Sequence, residues 1–121
     1  MPHPAPRRLQ RPRHARRSPR GAIYVGTRSP WASPFSSRTF GHVAAVQLHR
    51  SWLTGSIGHH ELKLCGFNER EVAALFRLRE RQLRAIASLR GRDLICWCPG
   101  ASRWCHADTL IALANAERIA A

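Results

Sequence analysis

The amino-acid sequence predicts a small α/β domain in which a short parallel sheet is flanked by about three helices. Two segments rich in β-forming residues, AIYVG at 22–26 and DLICWC at 93–98, lie far apart in the chain. Between and after them are stretches in which apolar residues recur at helical spacing. Because strands and helices alternate, the strands are expected to pair in parallel. A length of 121 residues is enough for one domain.

The first half of the predicted domain contains a strand, a loop and a helix. Ile23, Tyr24 and Val25 favour a strand that ends at Gly26. Two prolines and several small polar residues predict a loop over TRSPWASPF at 27–35. The spacing of apolar residues predicts a helix over about 38–53, and a loop over 55–60 follows it. The segment ELKLCGF at 61–67 is short, and its pattern is ambiguous between helix and strand.

The second half contains a helix, a strand and a last helix. Asn68 followed by Glu71 is typical of a helix start, where each side chain bonds the other's backbone amide. Gly91 predicts that this helix has ended. After the strand over 93–98, the loop PGASRW leads to a helix over CHADTLIALANAERIA at 105–120.

The N-terminal segment differs in composition from the rest of the chain. Residues 1–20 contain seven arginines, five prolines and no acidic residue, and without them the net charge falls from +13 to +6. This segment has too few apolar residues to bury, so it predicts a disordered basic arm, with the α/β domain confined to residues 21–121. A basic arm of this kind is typical of nucleic-acid binding, and it is equally compatible with a solvated tail.

The sequence predicts a protein of the cytoplasm without membrane contact. No uninterrupted apolar run approaches the roughly 20 residues that a membrane helix needs. The basic N-terminus is not followed by the apolar segment of a secretory signal.

Three cysteines, a histidine and an aspartate lie close together in CWCPGASRWCHADTL at 96–110. Cys98 ends the predicted strand, and Cys105 and His106 begin the following helix, so the three side chains are expected to converge. Cys and His ligands in a set of three or four suit tetrahedral zinc, with Cys96 as a further candidate ligand. The spacing C-x-C-x6-C-H is not that of a zinc ribbon or finger.

Two other interpretations of this segment stay open. Cys105 at a helix start could be a nucleophilic thiol, with His106 or Asp108 as the proton-transfer group. Alternatively, the cysteines are small buried apolar residues, and His106 and Asp108 help to cap the helix.

The loop at 27–36 carries residue types that suit an anionic or nucleotide-like ligand. Arg28 could bind phosphate, and the rings of Trp31 and Phe35 could stack on a base or instead fill the edge of the core. Because loops that follow parallel strands meet at one sheet edge, this loop is expected to face residues 98–106. The candidate ligand-binding residues are Tyr24, Gly26, Arg28, Ser29, Trp31, Ser33 and Phe35.

Two stretches, YVGTRSPWASPF and GRDLICWCPGASRWCHADTLIALAN, closely resemble the small bacterial and phage family called domain of unknown function 4326. The resemblance covers about residues 22–116. This sequence differs from the family pattern at Ala32 and Ser33, where the family has Gly-Asn. It also differs at Thr27, because in the family an arginine usually follows the glycine directly. The resemblance implies the domain limits and a bacterial cell or phage-infected host, and it implies no activity.

Three hypotheses about function follow. The first is a ligand site between loops 27–36 and 98–106 that binds a nucleotide-like or anionic molecule, with a zinc ion or a reactive thiol and a role in nucleotide or nucleic-acid metabolism. The second is a basic accessory protein that binds nucleic acid. The third is a host-interaction protein in which the cysteines are structural.

Overall fold

The computed structural model describes residues 6–10, 22–26, 28–96 and 105–116. The chain divides into two compact units. The first, named here the sheet unit, comprises Met1–Ala32 and Ala85–Ala121. The second, the helical unit, comprises Ser33–Arg84.

The sheet unit is built on three short parallel strands. They are β1 (Arg8–Gln10), β2 (Ile23–Tyr24) and β3 (Leu94–Cys96), in the spatial order β1-β3-β2. Leu94 lies opposite Arg8 on one side and opposite Ile23 on the other. All three residues of β3 are buried, as expected of a central strand that is covered on both faces. The predicted α/β class with a short parallel sheet is therefore confirmed.

Strand β1 lies within the segment that the sequence predicts to be disordered. The amide of Leu94 donates to the carbonyl oxygen of Arg7 at 2.9 Å, and the amide of Arg7 donates to Asp93 Oδ1 at 2.9 Å. Backbone pairing with β3 does not depend on an apolar composition, so the arm prediction is wrong for residues 8–10. Residues 1–5 and 11–20, on which the rest of that prediction falls, lie outside the described residues.

The helical unit carries four helices that follow one another along the chain. These are α1 (Ser37–Phe40), α2 (His42–Leu53), α3 (His59–Leu64) and α4 (Glu69–Ala85). A single 3-10 turn, Ile86–Leu89, continues from α4 into the sheet unit.

The single helix predicted over 38–53 is wrong, because the chain breaks at Gly41. Gly41 has φ +81°, a left-handed conformation that glycine adopts without steric penalty, and its amide donates to the carbonyl of Ser37 at 2.8 Å. The apolar spacing continues across this break, so periodicity alone does not reveal it.

Aromatic rings form the core of the helical unit. Phe35 contacts the rings of Phe40, Trp52 and Phe67 edge-on, with centroid distances of 6.1, 6.2 and 5.9 Å. Edge-to-face pairs of this kind add to the stability that burial alone provides.

A last helix, α5 (His106–Ala114), packs against β1 and β3 in the sheet unit. Its C-terminus is bonded to the turn before β3: Arg90 Nε donates to the carbonyl of Ala114 at 3.0 Å, and the Gly91 amide donates to Asn115 Oδ1 at 2.9 Å. These bonds fix the helix relative to the strands. Among the described residues, no helix is both long enough and apolar enough to span a membrane.

The predicted start of α4 is confirmed in detail. Asn68 Oδ1 accepts from the Glu71 amide at 2.8 Å, and Glu71 Oε1 accepts from the Asn68 amide at 3.0 Å. Two amides that helix geometry leaves without intrahelical partners are thus satisfied.

Substituting the cap should destabilise the fold by a predictable amount. We expect Asn68→Ala to lower the free energy of unfolding by about 1 kcal/mol, because it leaves the Glu71 amide without its acceptor. Asn68→Asp retains an oxygen in the same place and should cost much less. Urea unfolding of the three proteins measures this difference, and equal losses in both variants would contradict the capping role.

Candidate functional site at the start of helix α5

Five polar or thiol side chains from separate parts of the sheet unit converge at the start of α5. We name them the thiol–imidazole cluster, and its members are Arg8, Cys96, Cys105, His106 and Asp108. They come from β1, from the last residue of β3, from the residue before α5 and from the first turn of α5. The sequence separation between Arg8 and Asp108 is 100 residues.

Strand register explains why Arg8 joins this cluster. Side chains alternate between the two faces of a strand, and residues in register across parallel strands share a face. Arg8 lies opposite Leu94, and Cys96 is two residues beyond Leu94, so Arg8 and Cys96 lie on the same face. Helix α5 packs on that face, which brings its first turn to both residues.

The imidazole of His106 bonds the backbone at the end of β2. Its Nε2 lies 2.7 Å from the carbonyl oxygen of Val25. A carbonyl only accepts, so Nε2 must carry a proton, and Nδ1 is the nitrogen that gains or loses a proton when the ring titrates. Val25 is fully buried and its amide donates to the Ile95 carbonyl at 2.9 Å. His106 therefore donates a hydrogen bond to a buried backbone carbonyl.

The surroundings of His106 favour its protonated form. Burial lowers the pKa of His106, but hydrogen bonds with Cys105 and with the Val25 carbonyl, together with electrostatic interactions with Cys105 and Asp108, outweigh burial and raise it above 6.5. The imidazole is thus a proton donor over a wider pH range than a free histidine.

Arg8 and Asp108 form an ion pair at the edge of the cluster. Arg8 Nη1 lies 3.2 Å from Asp108 Oδ2, and the Arg8 side chain is only 21% exposed. Burial raises the pKa of the Asp108 carboxyl, and this effect exceeds the opposite influence of Arg8. Arg8 also bonds Cys105, so one guanidinium group contacts both a carboxylate and a thiol.

Cys96 and Cys105 lie next to each other below the surface. Their sulfur atoms are 3.1 Å apart, with Cys105 Sγ donating to Cys96 Sγ, and each residue is only 1% exposed. Neither forms a disulfide within the described part of the chain. Cys105 is the residue that precedes α5, but its side chain makes no capping bond to the helix amides.

Zinc binding by Cys96, Cys98, Cys105 and His106 stays a prediction. No group of three or more Cys, His or acidic side chains suited to a metal ion occurs within residues 6–10, 22–26, 28–96 and 105–116. Cys98 lies outside those residues.

In the predicted ligand loop, two serine hydroxyls are hydrogen-bonded to backbone amides of the loop itself. Ser29 Oγ accepts from the Trp31 amide at 3.2 Å, and Ser33 Oγ accepts from the Phe35 amide at 3.1 Å. Such bonds are typical of turns built on serine. The hydroxyls of Ser29 and Ser33, which the sequence offers as ligand-binding groups, therefore stabilise the conformation of the loop.

Arg28 is the predicted loop residue with the most unusual backbone. It is exposed and has φ +70°, a left-handed conformation that is uncommon for residues with a side chain. Ser29 completes this turn by donating its amide to the Gly26 carbonyl at 3.1 Å. The role of Arg28 in ligand binding stays a prediction.

The aromatic residues of the predicted loop are largely covered. Trp31 is 8% exposed and Phe35 is 4% exposed, so each has little surface left for stacking on a base. For Phe35 the core interpretation is favoured, since its ring lies among three other aromatic rings.

Tyr24 and Gly26 form a close pair at the end of β2. A Cβ atom at Gly26 would lie 2.6 Å from the Tyr24 hydroxyl and 2.8 Å from its ring. Gly26 thus permits the tyrosine ring to fold over the strand end, which accounts for the Tyr-Val-Gly sequence without a ligand.

Four candidate residues of the segment 96–110 lie together in the structure, namely Cys96, Cys105, His106 and Asp108. Arg8, which also joins them, is not among the residues predicted from the sequence. No local pattern distinguishes Arg8 from its arginine neighbours. Only the register of β1 against β3 selects it. Residues 97–104, which contain the other half of the predicted site, lie outside the described residues.

The arrangement defines a class: a small parallel α/β protein with thiols, an imidazole and a guanidinium gathered where the central strand ends. A model of the family described as domain of unknown function (DUF4326) matches residues 8–116. The chain therefore belongs to this family, and the match begins at the first residue of β1. No curated protein and no solved structure matches the chain.

The raised pKa of His106 should appear in the pH dependence of stability. A pKa that is higher in the folded chain gives stability that is complete below pH 6.5 and is lost as pH rises through the folded-state value. We therefore expect the free energy of unfolding of the wild type to fall as pH rises above 6.5.

His106→Gln should remove this decline, whereas the exposed-site control His60→Gln should keep it. Urea unfolding between pH 5.5 and 9 measures the three curves. A decline of the same size in all three proteins would contradict the assignment to His106.

Proposed function

We propose that this protein binds a small anionic ligand of nucleotide type at the thiol–imidazole cluster. Support comes from the convergence of a guanidinium, an imidazole and two thiols where β3 ends and α5 begins. Ligands of open parallel sheets bind at this edge, outside the carboxyl ends of the strands.

The charges of the cluster suit an anion. Arg8 is positively charged, and His106 has a raised pKa. The first turn of α5 adds amides whose partial positive charge favours anions. Asp108 neutralises part of this charge, so the ligand competes with that carboxylate for Arg8.

The same groups could perform nucleophilic chemistry on a bound ligand. In this proposal Cys105 is the nucleophile, since its side chain bonds both Arg8 and His106. His106 transfers the proton through Nδ1, because Nε2 is held by the Val25 carbonyl. Asp108 orients Arg8.

A matched pair of arginine variants tests the binding proposal. Arg7 and Arg8 are adjacent in sequence, and each pairs with one aspartate, at 3.3 and 3.2 Å. Only Arg8 contacts the cluster. We expect at least one of a panel of nucleoside mono- and diphosphates to raise the unfolding midpoint of the wild type and of Arg7→Gln but not of Arg8→Gln.

Thermal unfolding with and without each nucleotide is the measurement. A ligand present at 100 times its Kd stabilises a fold by about 2.7 kcal/mol, which is easily detected. Inorganic phosphate serves as the control for simple anion effects. The binding proposal fails if no nucleotide shifts the midpoint, or if Arg8→Gln responds as strongly as Arg7→Gln.

A second candidate function, nucleic-acid binding, is favoured by one feature of α4. Arg70, Arg77, Arg81 and Arg84 are all exposed. At 3.6 residues per turn, their spacing of seven, four and three residues sets them within about 60° of one another around the helix axis. We name this row the α4 arginine stripe.

Little within the described part of the chain neutralises the stripe. Arg84 pairs loosely with Glu80 at 3.9 Å, and no hydrogen bond or ion pair of Arg70, Arg77 or Arg81 occurs within the described residues. A row of guanidinium groups with few acidic partners suits the regularly spaced phosphates of a nucleic-acid backbone.

The stripe makes a quantitative prediction for salt dependence. Each phosphate contact that is lost should reduce the slope of log K against log salt by about 0.9 on duplex DNA. Arg77→Gln combined with Arg81→Gln should therefore lower the slope by about 1.8. The control, Arg38→Gln with Arg50→Gln, removes two exposed arginines outside the stripe and should leave the slope nearly unchanged.

Fluorescence anisotropy with a duplex DNA and a single-stranded RNA at several salt concentrations provides the slopes. Equal losses in the two double variants would show general charge attraction rather than a surface on α4. Truncation of residues 1–20 is a poor test of this candidate, because it also deletes β1 and Arg8.

A further inference from the structure

Two thiols lie in direct contact within the described part of the sheet unit. Cys96 Sγ and Cys105 Sγ are 3.1 Å apart, whereas the sulfur atoms of a disulfide are about 2.05 Å apart. An approach of about 1 Å would bring the two atoms to bonding distance. We name Cys96 and Cys105 the thiol pair.

The surrounding elements hold the thiol pair in place. Cys96 belongs to the central strand β3 and lies opposite Gln10 of β1. Cys105 directly precedes α5, which packs against β3. Both residues are 1% exposed, so each thiol is held against the other rather than in solvent.

Two neighbouring side chains supply what oxidation of a thiol needs. A thiol reacts with an oxidant as its thiolate, so a nearby group must take the proton and another must balance the negative charge. His106 and Arg8 both bond the Cys105 side chain. Cys105 is therefore the sulfur prepared to react first, and Cys96 is the one placed to follow.

We propose that Cys96 and Cys105 are a redox pair that a hydroperoxide converts to an intramolecular disulfide. The Cys105 thiolate attacks one oxygen of hydrogen peroxide, the O–O bond breaks, and Cys105 becomes a sulfenic acid while hydroxide takes a proton to leave as water. Cys96 then attacks the Cys105 sulfur, the S–O bond breaks, and a second water leaves. In total, two thiols lose two electrons and two protons, and one peroxide is reduced to two water molecules. This proposal does not depend on the ligand proposed above.

Peptide mapping after oxidation tests the redox pair directly. Trypsin cleaves after Arg92, Arg103 and Arg118, which separates residues 93–103 from residues 104–118. A disulfide between Cys96 and Cys105 joins these two peptides. The full-length chain is treated with hydrogen peroxide, its remaining thiols are alkylated in denaturant, and the peptides are identified by mass.

Cys98 lies in the same peptide as Cys96, so variants must distinguish them. We expect the joined peptides in the wild type, in Cys98→Ser and in Cys65→Ser, and we expect two of the four thiols to be lost in the wild type. Cys65 belongs to the helical unit and controls for unspecific oxidation. Cys98→Ser and Cys65→Ser leave the thiol pair intact, so the test does not require a folded variant of Cys96 or Cys105.

Two outcomes would overturn the proposal. One is that no joined peptides form in the wild type at peroxide concentrations that oxidise a free small-molecule thiol. The other is that they form in the wild type but disappear in Cys98→Ser, which would assign the bond to Cys98. Joined peptides in Cys98→Ser that a reductant separates would establish the redox pair.

Discussion

The hydrogen bond between His106 Nε2 and the Val25 carbonyl is the interaction on which the arrangement of the sheet unit depends. It joins the end of β2 to the beginning of α5, two points 81 residues apart in the chain. Val25 is fully buried, and a hydrogen bond within a protein contributes about 0.5–1.5 kcal/mol to stability. The bond also fixes which nitrogen of His106 carries a permanent proton, and so it sets both the position of the ring and its chemistry.

The remaining cluster contacts extend from this fixed point. Once the first turn of α5 is held at the sheet edge, Cys105 lies against Cys96, and Asp108 lies within reach of Arg8. The ion pair between Arg8 and Asp108 then connects α5 to β1, the strand that pairs with β3 on the side opposite β2. All three strands are thereby joined to the start of one helix. Such convergence of several chain segments is typical of functional sites in α/β proteins.

Much of this fold follows from local sequence signals, and the parts that do not have identifiable causes. The Asn68–Glu71 cap and the parallel pairing of β2 with β3 are visible in the sequence, because each depends on residues close together or on simple alternation. The break at Gly41 was missed because apolar periodicity continues through it. Strand β1 was missed because its pairing comes from contacts with Asp93 and Leu94, more than 80 residues away, and not from its own composition.

The residues of the candidate site likewise include some that local sequence reveals and one that only distant contacts reveal. Cys105, His106 and Asp108 are recognisable because they are neighbours in sequence. Arg8 becomes a member of the cluster only through strand register, which one sequence does not reveal. Two aromatic residues of the loop show the opposite case, in which a residue looks suited to ligand binding in the sequence but is covered in the fold. Trp31 and Phe35 are both buried.

The most direct test of this account is the protonation state of His106, measured by nitrogen-15 NMR as a function of pH. We expect Nε2 to stay protonated across pH 5–9, because it donates to Val25, and only Nδ1 to titrate, at a pKa above 6.5. A ring that carries its neutral-state proton on Nδ1, or one that titrates below 6.5, would contradict the account. The first result would mean that His106 does not join β2 to α5, and the second would mean that burial outweighs the bonds that raise its pKa.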